Sequence, residues 1–327
     1  MTHDEAHGTA HPHTPAHDHG THAPGHRHGD ADMDWEVMGP LLESGAELHS
    51  AVFEQAAAWL RTLTPQGTPV RRVLDVGSGP GVATCLLARA FPEAEVVAVD
   101  PTPALLDRTR ARAAALGLDG RVTTHRAELP DGLDTLPGDA PTDLGGHPTG
   151  PVGDADLIWS SRTLHHVGDQ RRAVAALARH LRPGGVLALS EGGLPQRFLP
   201  RDIGLGRPGL QARLDAATEE WFARMRASLP GAENTVEDWP AFLTDAGLTA
   251  PRSRSFLVDL PAPLSAEGRA YVSTGLARAA EAFGDDLAPD DLATVTRLLD
   301  PHDPAGLARR PDVFLLAAQT VHAARAR

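Results

Sequence analysis

Lysine is missing from this sequence. All 30 basic residues are arginine, they face 43 acidic residues, and the formal net charge is -13. A chain this acidic has no general attraction for phosphate backbones or anionic membranes, so nucleic acid and lipid surfaces are not expected partners. Cysteine occurs once, at Cys85, which excludes an internal disulfide and suits a reducing compartment, the cytoplasm. No apolar run is long enough to span a bilayer, and the first residues lack the basic segment and apolar stretch of a secretory leader. Aromatic residues are only 4% of the chain while Ala, Gly and Pro abound, a pattern that reads as coding bias and says nothing about function.

What is present divides the 327 residues unevenly. The length suits one large α/β domain with insertions better than two independent domains. Residues 1–32 carry nine of the seventeen histidines among Gly, Pro, Ala, Thr and Asp, with almost nothing large and apolar to bury, which predicts a disordered tail. Its His-x-His spacings, at His11-Pro12-His13, His17-Asp18-His19 and His26-Arg27-His28, offer imidazoles to Ni²⁺, Cu²⁺ or Zn²⁺. No carboxylate or cysteine constellation defines a geometry around them, so the metal binding expected is adventitious and no residue is assigned as a metal ligand. Residues 33–66 form an N-terminal cap region. Within it Leu41, Leu42, Leu48, Val52, Phe53, Ala57 and Leu60 fall near one face of a single helix over 40–63, which Thr64-Pro65-Gln66-Gly67 stops.

From residue 67 to 191, short β-rich runs alternate with amphipathic helical segments, the pattern of a parallel sheet covered on both sides. The strands expected are 71–76, 94–100, 121–125, 155–160 and 185–191. Residues 129–154, rich in Gly, Pro and Asp and without period, predict an inserted mobile loop. Residues 192–236 contain a helical stretch that belongs to no βα repeat and read as a lid. Residues 237–327 return to the sheet with strands at 252–260 and 312–323, separated by a second helical insertion over 265–300. The two helical insertions suit a lid over a substrate and a homodimer interface equally.

The chemistry concentrates in Val73-Leu-Asp-Val-Gly-Ser-Gly-Pro-Gly-Val-Ala-Thr84, which runs from a buried strand through a glycine turn into a helix. Such a turn lets a ligand approach the main chain beside the positive end of a helix. A dinucleotide fingerprint needs glycine at its first, third and sixth positions, and counting from Gly77 the sixth is Val82, which argues against a nicotinamide oxidoreductase. Asp75-Val76-Gly77-Ser78-Gly79-Pro80-Gly81 resembles the first motif of the class I, Rossmann-like S-adenosylmethionine-dependent methyltransferases. That resemblance implies an α/β fold with a seven-stranded, mostly parallel sheet, helices on both faces and helical cap or lid insertions. It also implies S-adenosyl-L-methionine as methyl donor and a small-molecule acceptor, with O-methylation favoured over N- and C-methylation.

Further motifs follow in the family's order. Asp100, at the end of the second strand, corresponds to the acid that accepts the ribose hydroxyls, and Pro101 would lie near the adenine. His125-Arg-Ala-Glu-Leu-Pro130 resembles the adenine-contacting turn, with Ala127 and Glu128 as contacts and Arg126 standing where an acid is usual. Ser160 closes the fourth strand beneath the donor, and Leu181-Arg-Pro-Gly-Gly185 resembles the motif that opens the fifth. The donor set implied is thus Asp75, Gly77, Ser78, Gly79, Asp100, Pro101, Ala127, Glu128 and Ser160. His165 and His166, just past the fourth strand, are candidate bases for the acceptor, because imidazole titrates near neutrality. Glu191 at the fifth strand's end could orient one of them. Each acid also has a plainer reading: Asp75 as a strand-end cap, Asp100 as a helix cap. A non-catalytic protein that binds S-adenosylmethionine or a metal is the remaining alternative.

Overall fold

A computed structural model describes residues 34–65, 67–134 and 142–327. The histidine-rich tail and its expected disorder and metal binding lie outside the described residues.

Seven strands form one sheet: β1 (Arg72–Val76), β2 (Glu95–Asp100), β3 (Val122–Arg126), β4 (Ala155–Ser161), β5 (Leu181–Arg197), β6 (Thr249–Leu260) and β7 (Leu315–Arg325). Their order is β3-β2-β1-β4-β5-β7-β6. β1 to β5 pair in parallel, and β7 inserts antiparallel between β5 and β6. The expected mostly parallel sheet is present, and the antiparallel pair closes its far edge.

Strict alternation decides what covers each face. Val73, Val96, Leu157, Trp159, Val186 and Ala188 enter one core, beneath α2 (Ser50–Leu63) and α3 (Val82–Ala90). Leu74, Val76, Val97, Val99, Ile158, Leu187 and Leu189 enter the other, with α5 (Gln170–Arg179) and α7 (Trp239–Asp245). The strand order reverses between β1 and β4, and the carboxyl ends of strands at such a switch point are where open α/β sheets bind ligands.

The N-terminal segment is two helices rather than the single helix expected. α1 (Trp35–Leu48) ends at His49, which leaves helical geometry at φ -97 and ψ 7 and whose ring Nδ1 lies 2.7 Å from Gly45 O. A side chain that bonds the carbonyl four residues back competes with the helix ladder, and the chain turns before α2. α1 is then fastened to α4 (Pro103–Ala115) through Arg108–Glu43 at 3.4 Å and Arg112–Glu47 at 2.6 Å. On its other side Gly45 lets the Tyr271 ring of α8 (Ala266–Phe283) approach so closely that an added Cβ would lie 2.9 Å from it.

The loop expected to be mobile over 129–154 is tethered where it is described. Arg126 N donates to Pro148 O, Val152 N donates to Leu133 O, and His125 Nε2 lies 3.0 Å from Gly150 O. His147 is fully buried, with Nδ1 3.0 Å from Thr124 Oγ1. Composition hid this because backbone groups and two histidine rings, not an apolar period, make these contacts. The helical insertions are α6 (Leu210–Ser228), α8 and α9 (Pro289–Leu299). Buried Asp291 joins α9 to α6 and the segment before it by accepting from Arg213 at 2.7 and 2.8 Å and from Arg207 at 2.8 Å. Those guanidiniums, Arg213 foremost, hold its carboxyl below the ordinary range.

Candidate methyl-donor site

The glycine turn is fixed by the end of β2. Gly77 N and Ser78 N both donate to Val99 O, at 2.8 and 3.1 Å, and Gly79 N donates to Asp100 Oδ2 at 3.0 Å. Asp100 Oδ1 accepts from Thr102 N at 2.9 Å. A buried carboxylate therefore links the turn to the start of α4, and the amides of residues 77–79 are all held by acceptors at the end of β2. The turn also leans on its neighbours. Gly77, at φ +73, is packed by Thr163, whose Oγ1 would lie 2.0 Å from an added Cβ. Gly79, at φ +54, differs: among the described residues nothing stands within 4 Å of the position a Cβ would take.

Asp75 sits one residue inside β1 with its carboxylate turned inward, where Thr84 Oγ1 donates to Oδ2 at 2.5 Å. Burial pushes this carboxyl up to about 7; the Thr84 hydroxyl opposes the shift, and the nearby negative charge of Asp100 adds to it. Two buried hydroxyls nearby, Ser78 Oγ and Ser160 Oγ, have no partner among the described residues. Val76 pairs with Ser160 across the sheet, which puts both serines at the carboxyl edge of β1 and β4. Buried hydroxyls without partners are costly unless a ligand or water completes them.

At the adenine end, Ala127 is buried and Glu128 is exposed, its carbonyl accepting from Gly132 N. Arg126 Nε donates to Pro101 O at 3.1 Å, and its guanidinium lies 3.8 Å from Asp143. The arginine that replaces the family's usual acid thus ties the ends of β2 and β3 together.

Across the turn, Glu191 is 4% exposed and spends one oxygen on the loop after β4: Oε1 accepts from Thr163 N and Leu164 N, each at 2.8 Å. Its Oε2 lies 3.0 Å from His165 Nδ1. His165 stacks at a tilt on His166, ring centroids 4.1 Å apart, with Phe222 of α6 at 5.8 Å. Arg226 of α6 donates to His165 O at 3.0 Å and Val167 O at 2.6 Å. The structure therefore gathers the Asp75, turn, Asp100 and Ser160 residues on one side of Thr163 and the His165–Glu191 pair on the other. Thr109 and Arg226 take part without any sequence signal, since each acts through a contact between distant segments. The Thr109 hydroxyl, for instance, lies 3.1 Å from Gly79 O.

Residues 74–187, from β1 into β5, match the family described as a methyltransferase domain. The trans-aconitate 2-methyltransferase of Methylobacterium radiotolerans is 32% identical over 175 residues, 52% of this chain and 57% of that protein. The malonyl-[acyl-carrier protein] O-methyltransferase of Salmonella typhimurium is 33% identical over 155 residues, 46% of this chain and 51% of that protein. The chain thus spans about half the length of these curated relatives. A solved S-adenosylmethionine-dependent methyltransferase from Geobacter sulfurreducens, in complex with S-adenosyl-L-homocysteine, aligns over 84% of this chain and 90% of its own at 21% identity and a TM-score of 0.43. Residues 74–187 thus carry a likeness to a methyltransferase domain, and the sheet that holds them, parallel from β1 to β5 and closed by an antiparallel strand, is the Rossmann-like arrangement expected from the sequence.

Proposed function

We propose that this protein transfers a methyl group from S-adenosyl-L-methionine to an oxygen of a small-molecule acceptor. The observation that carries the donor half is the conjunction at the β1–β4 edge of an open face over Gly79, the buried Asp100 carboxylate, and two buried serine hydroxyls lacking partners. These groups fit a ligand with an amino-acid end and a ribose. In this reading Asp75 faces the ammonium end and Asp100 the ribose hydroxyls. Pro101, Ala127 and Glu128 border the adenine, and Ser78 and Ser160 complete their hydroxyl bonds on the donor. The donor supplies an electrophilic methyl carbon to a nucleophile arriving in line. The chain's task is to position both partners and exclude water, and α1, α6 and α8 around the site suit that task.

His165 is the base favoured for the acceptor. Glu191 fixes Nδ1, which leaves Nε2 as the nitrogen able to take a proton. O-methylation draws support from the oxygen-directed activity named for the Salmonella relative, and a small acceptor from the trans-aconitate relatives. Calorimetric titration with S-adenosyl-L-homocysteine, NAD and NADP tests the donor assignment. Binding of the first alone is expected; no heat with it, or binding of either nicotinamide, would sink the reading. Transfer of labelled methyl to an oxygen, read by mass spectrometry of the product, tests the rest.

A further inference from the structure

Arg162 stands out at the carboxyl edge of the sheet for two independent reasons. It follows β4 directly, and its backbone is left-handed at φ +51, a conformation that side chains with a Cβ rarely adopt and that clusters at functional sites. Its amide donates to Ser190 O at 3.0 Å, so neighbouring β5 holds the chain in that conformation. The guanidinium is exposed and has no carboxylate partner among the described residues. Other arginines around the site are committed: Arg108 and Arg112 to Glu43 and Glu47, Arg226 to carbonyls of residues 165 and 167.

The position of Arg162 is defined from three sides. It is two residues beyond Ser160, at most about 7 Å along the chain. The next residue, Thr163, packs on Gly77 and donates its amide to Glu191. Its charge also reaches His49, at the α1–α2 break, which is 4% exposed and lies edge-on to Tyr271 of α8 at 6.2 Å. Burial, with the Arg162 charge adding to it against the Gly45 hydrogen bond, keeps that imidazole below its ordinary range.

We propose that Arg162 binds a carboxylate of the acceptor, which makes this protein a methyltransferase for small carboxylic acids carrying a second, reacting oxygen near His165. The proposal rests on the methyl-transfer reading above and assigns its substrate class. A planar guanidinium presents two parallel N–H donors that match a carboxylate. The donor brings a positive charge into the same site. An anionic acceptor neutralises both cations, whereas an amine would meet two like charges and be rejected. The carboxylate held by Arg162 is the anchor and not the nucleophile, since pairing with a guanidinium withdraws the electron density an attacking oxygen needs.

The test is calorimetric titration of the full chain, saturated with S-adenosyl-L-homocysteine, using trans-aconitate, citrate and malonate as probes, and the neutral trimethyl ester of trans-aconitate as control. At least one acid is expected to bind and the ester is not. Arg162→Asn removes the charge with a residue that tolerates the left-handed backbone. It should weaken the acid about tenfold or more, the order expected for loss of a charge-assisted pair, while leaving S-adenosyl-L-homocysteine affinity unchanged. Arg162→Lys should fall between. Failure of all three acids to bind, equal affinity for trans-aconitate and its ester, or an Arg162→Asn variant that binds the acid as tightly as the parent would overturn the proposal. Failure of S-adenosyl-L-homocysteine itself to bind would instead overturn the methyl-transfer reading beneath it.

Discussion

Glu191 divides its two carboxylate oxygens between structure and chemistry: Oε1 accepts from the amides of Thr163 and Leu164, and Oε2 lies 3.0 Å from His165 Nδ1. One residue within β5 therefore sets both the path of the loop after β4 and the tautomer of its histidine.

Replacing Glu191 by Gln separates the two roles. The amide oxygen can still accept from the two backbone N–H groups, but its NH₂ would face Nδ1 and draw the imidazole into the Nε2–H tautomer, which cannot accept a proton at Nε2. Methyl transfer should fall by about 10²-fold or more, the range of general-base catalysis, with S-adenosyl-L-homocysteine affinity unchanged. ¹⁵N chemical shifts of His165 should report the tautomer exchange directly. An unchanged shift in Glu191→Gln would refute the assignment without any knowledge of the acceptor.

Asp100 joins the turn to α4 through Gly79 N and Thr102 N. Asp100→Ala removes the acceptor of both amides together with the carboxylate proposed to meet the ribose. The loss in S-adenosyl-L-homocysteine affinity should be about 10- to 100-fold, since hydrogen bonds to a charged group are each worth about 1.5–3 kcal/mol. Unchanged affinity in a calorimetric titration would exclude Asp100 from the donor site.

The Asp75 carboxyl, pushed up to about 7 by its burial, predicts a definite pH dependence. Between the ordinary value of 3.8 and about 7 the unfolded chain gives up this proton and the folded chain keeps it. The contribution of Asp75 to stability therefore declines as pH rises through that window and levels off above it. Asp75→Asn, which imitates the protonated form, should remove this slope and raise stability at pH 8 by on the order of a few kcal/mol, read by urea denaturation at a series of pH values. A ligand ammonium reverses the preference. Wild-type affinity for S-adenosyl-L-homocysteine should rise from pH 6 to pH 8 with proton release on binding, and Asp75→Asn should bind more weakly without that dependence.

How much of this was legible in the sequence follows from what kind of signal each feature leaves. β1 to β4 are short apolar runs beside turn residues, and the structure bounds them within a residue of the expected positions. β5 runs on to Arg197, beyond its apolar stretch, because the exposed residues after Glu191 keep pairing with β7 across a register shift between Ser190 and Gly193. The split at His49 depends on one side chain bonding Gly45 O, and the tethering of residues 142–154 on His147 lying beneath β3, neither of which has a period. Asp75, Asp100 and the glycine turn were readable as a motif. Arg162 was not, since an exposed arginine after a strand looks ordinary until its backbone conformation and lack of a partner are seen.

The lid helix α6 reaches the site through Arg226, whose guanidinium holds the carbonyls of His165 and Val167. Arg226→Ala should free this loop at a cost of about 1–3 kcal/mol locally, seen as faster amide exchange over residues 165–168. Donor affinity should be little changed, because the turn at residues 77–79 is fixed by β2 and not by α6. Equal weakening of donor binding would mean that α6 orders the whole site rather than its acceptor side.

The two glycines of the turn give the sharpest test of where the donor lies, because they share a positive φ and differ in what faces them. Alanine at either position incurs the left-handed backbone cost of about 1–2 kcal/mol. At Gly77 its methyl would also drive into Thr163 and disturb the amide that Glu191 holds, so Gly77→Ala should lower the melting temperature substantially. At Gly79 the methyl meets no atom of the described residues within 4 Å. Gly79→Ala should therefore show only the backbone cost in a thermal melt, while its methyl enters the space assigned to the donor and cuts S-adenosyl-L-homocysteine affinity by about tenfold or more, as a small group lodged in a close-packed contact does. If Gly79→Ala binds as tightly as the parent, the open face over Gly79 is not the donor's seat, and the ligand must lie against the serine hydroxyls alone.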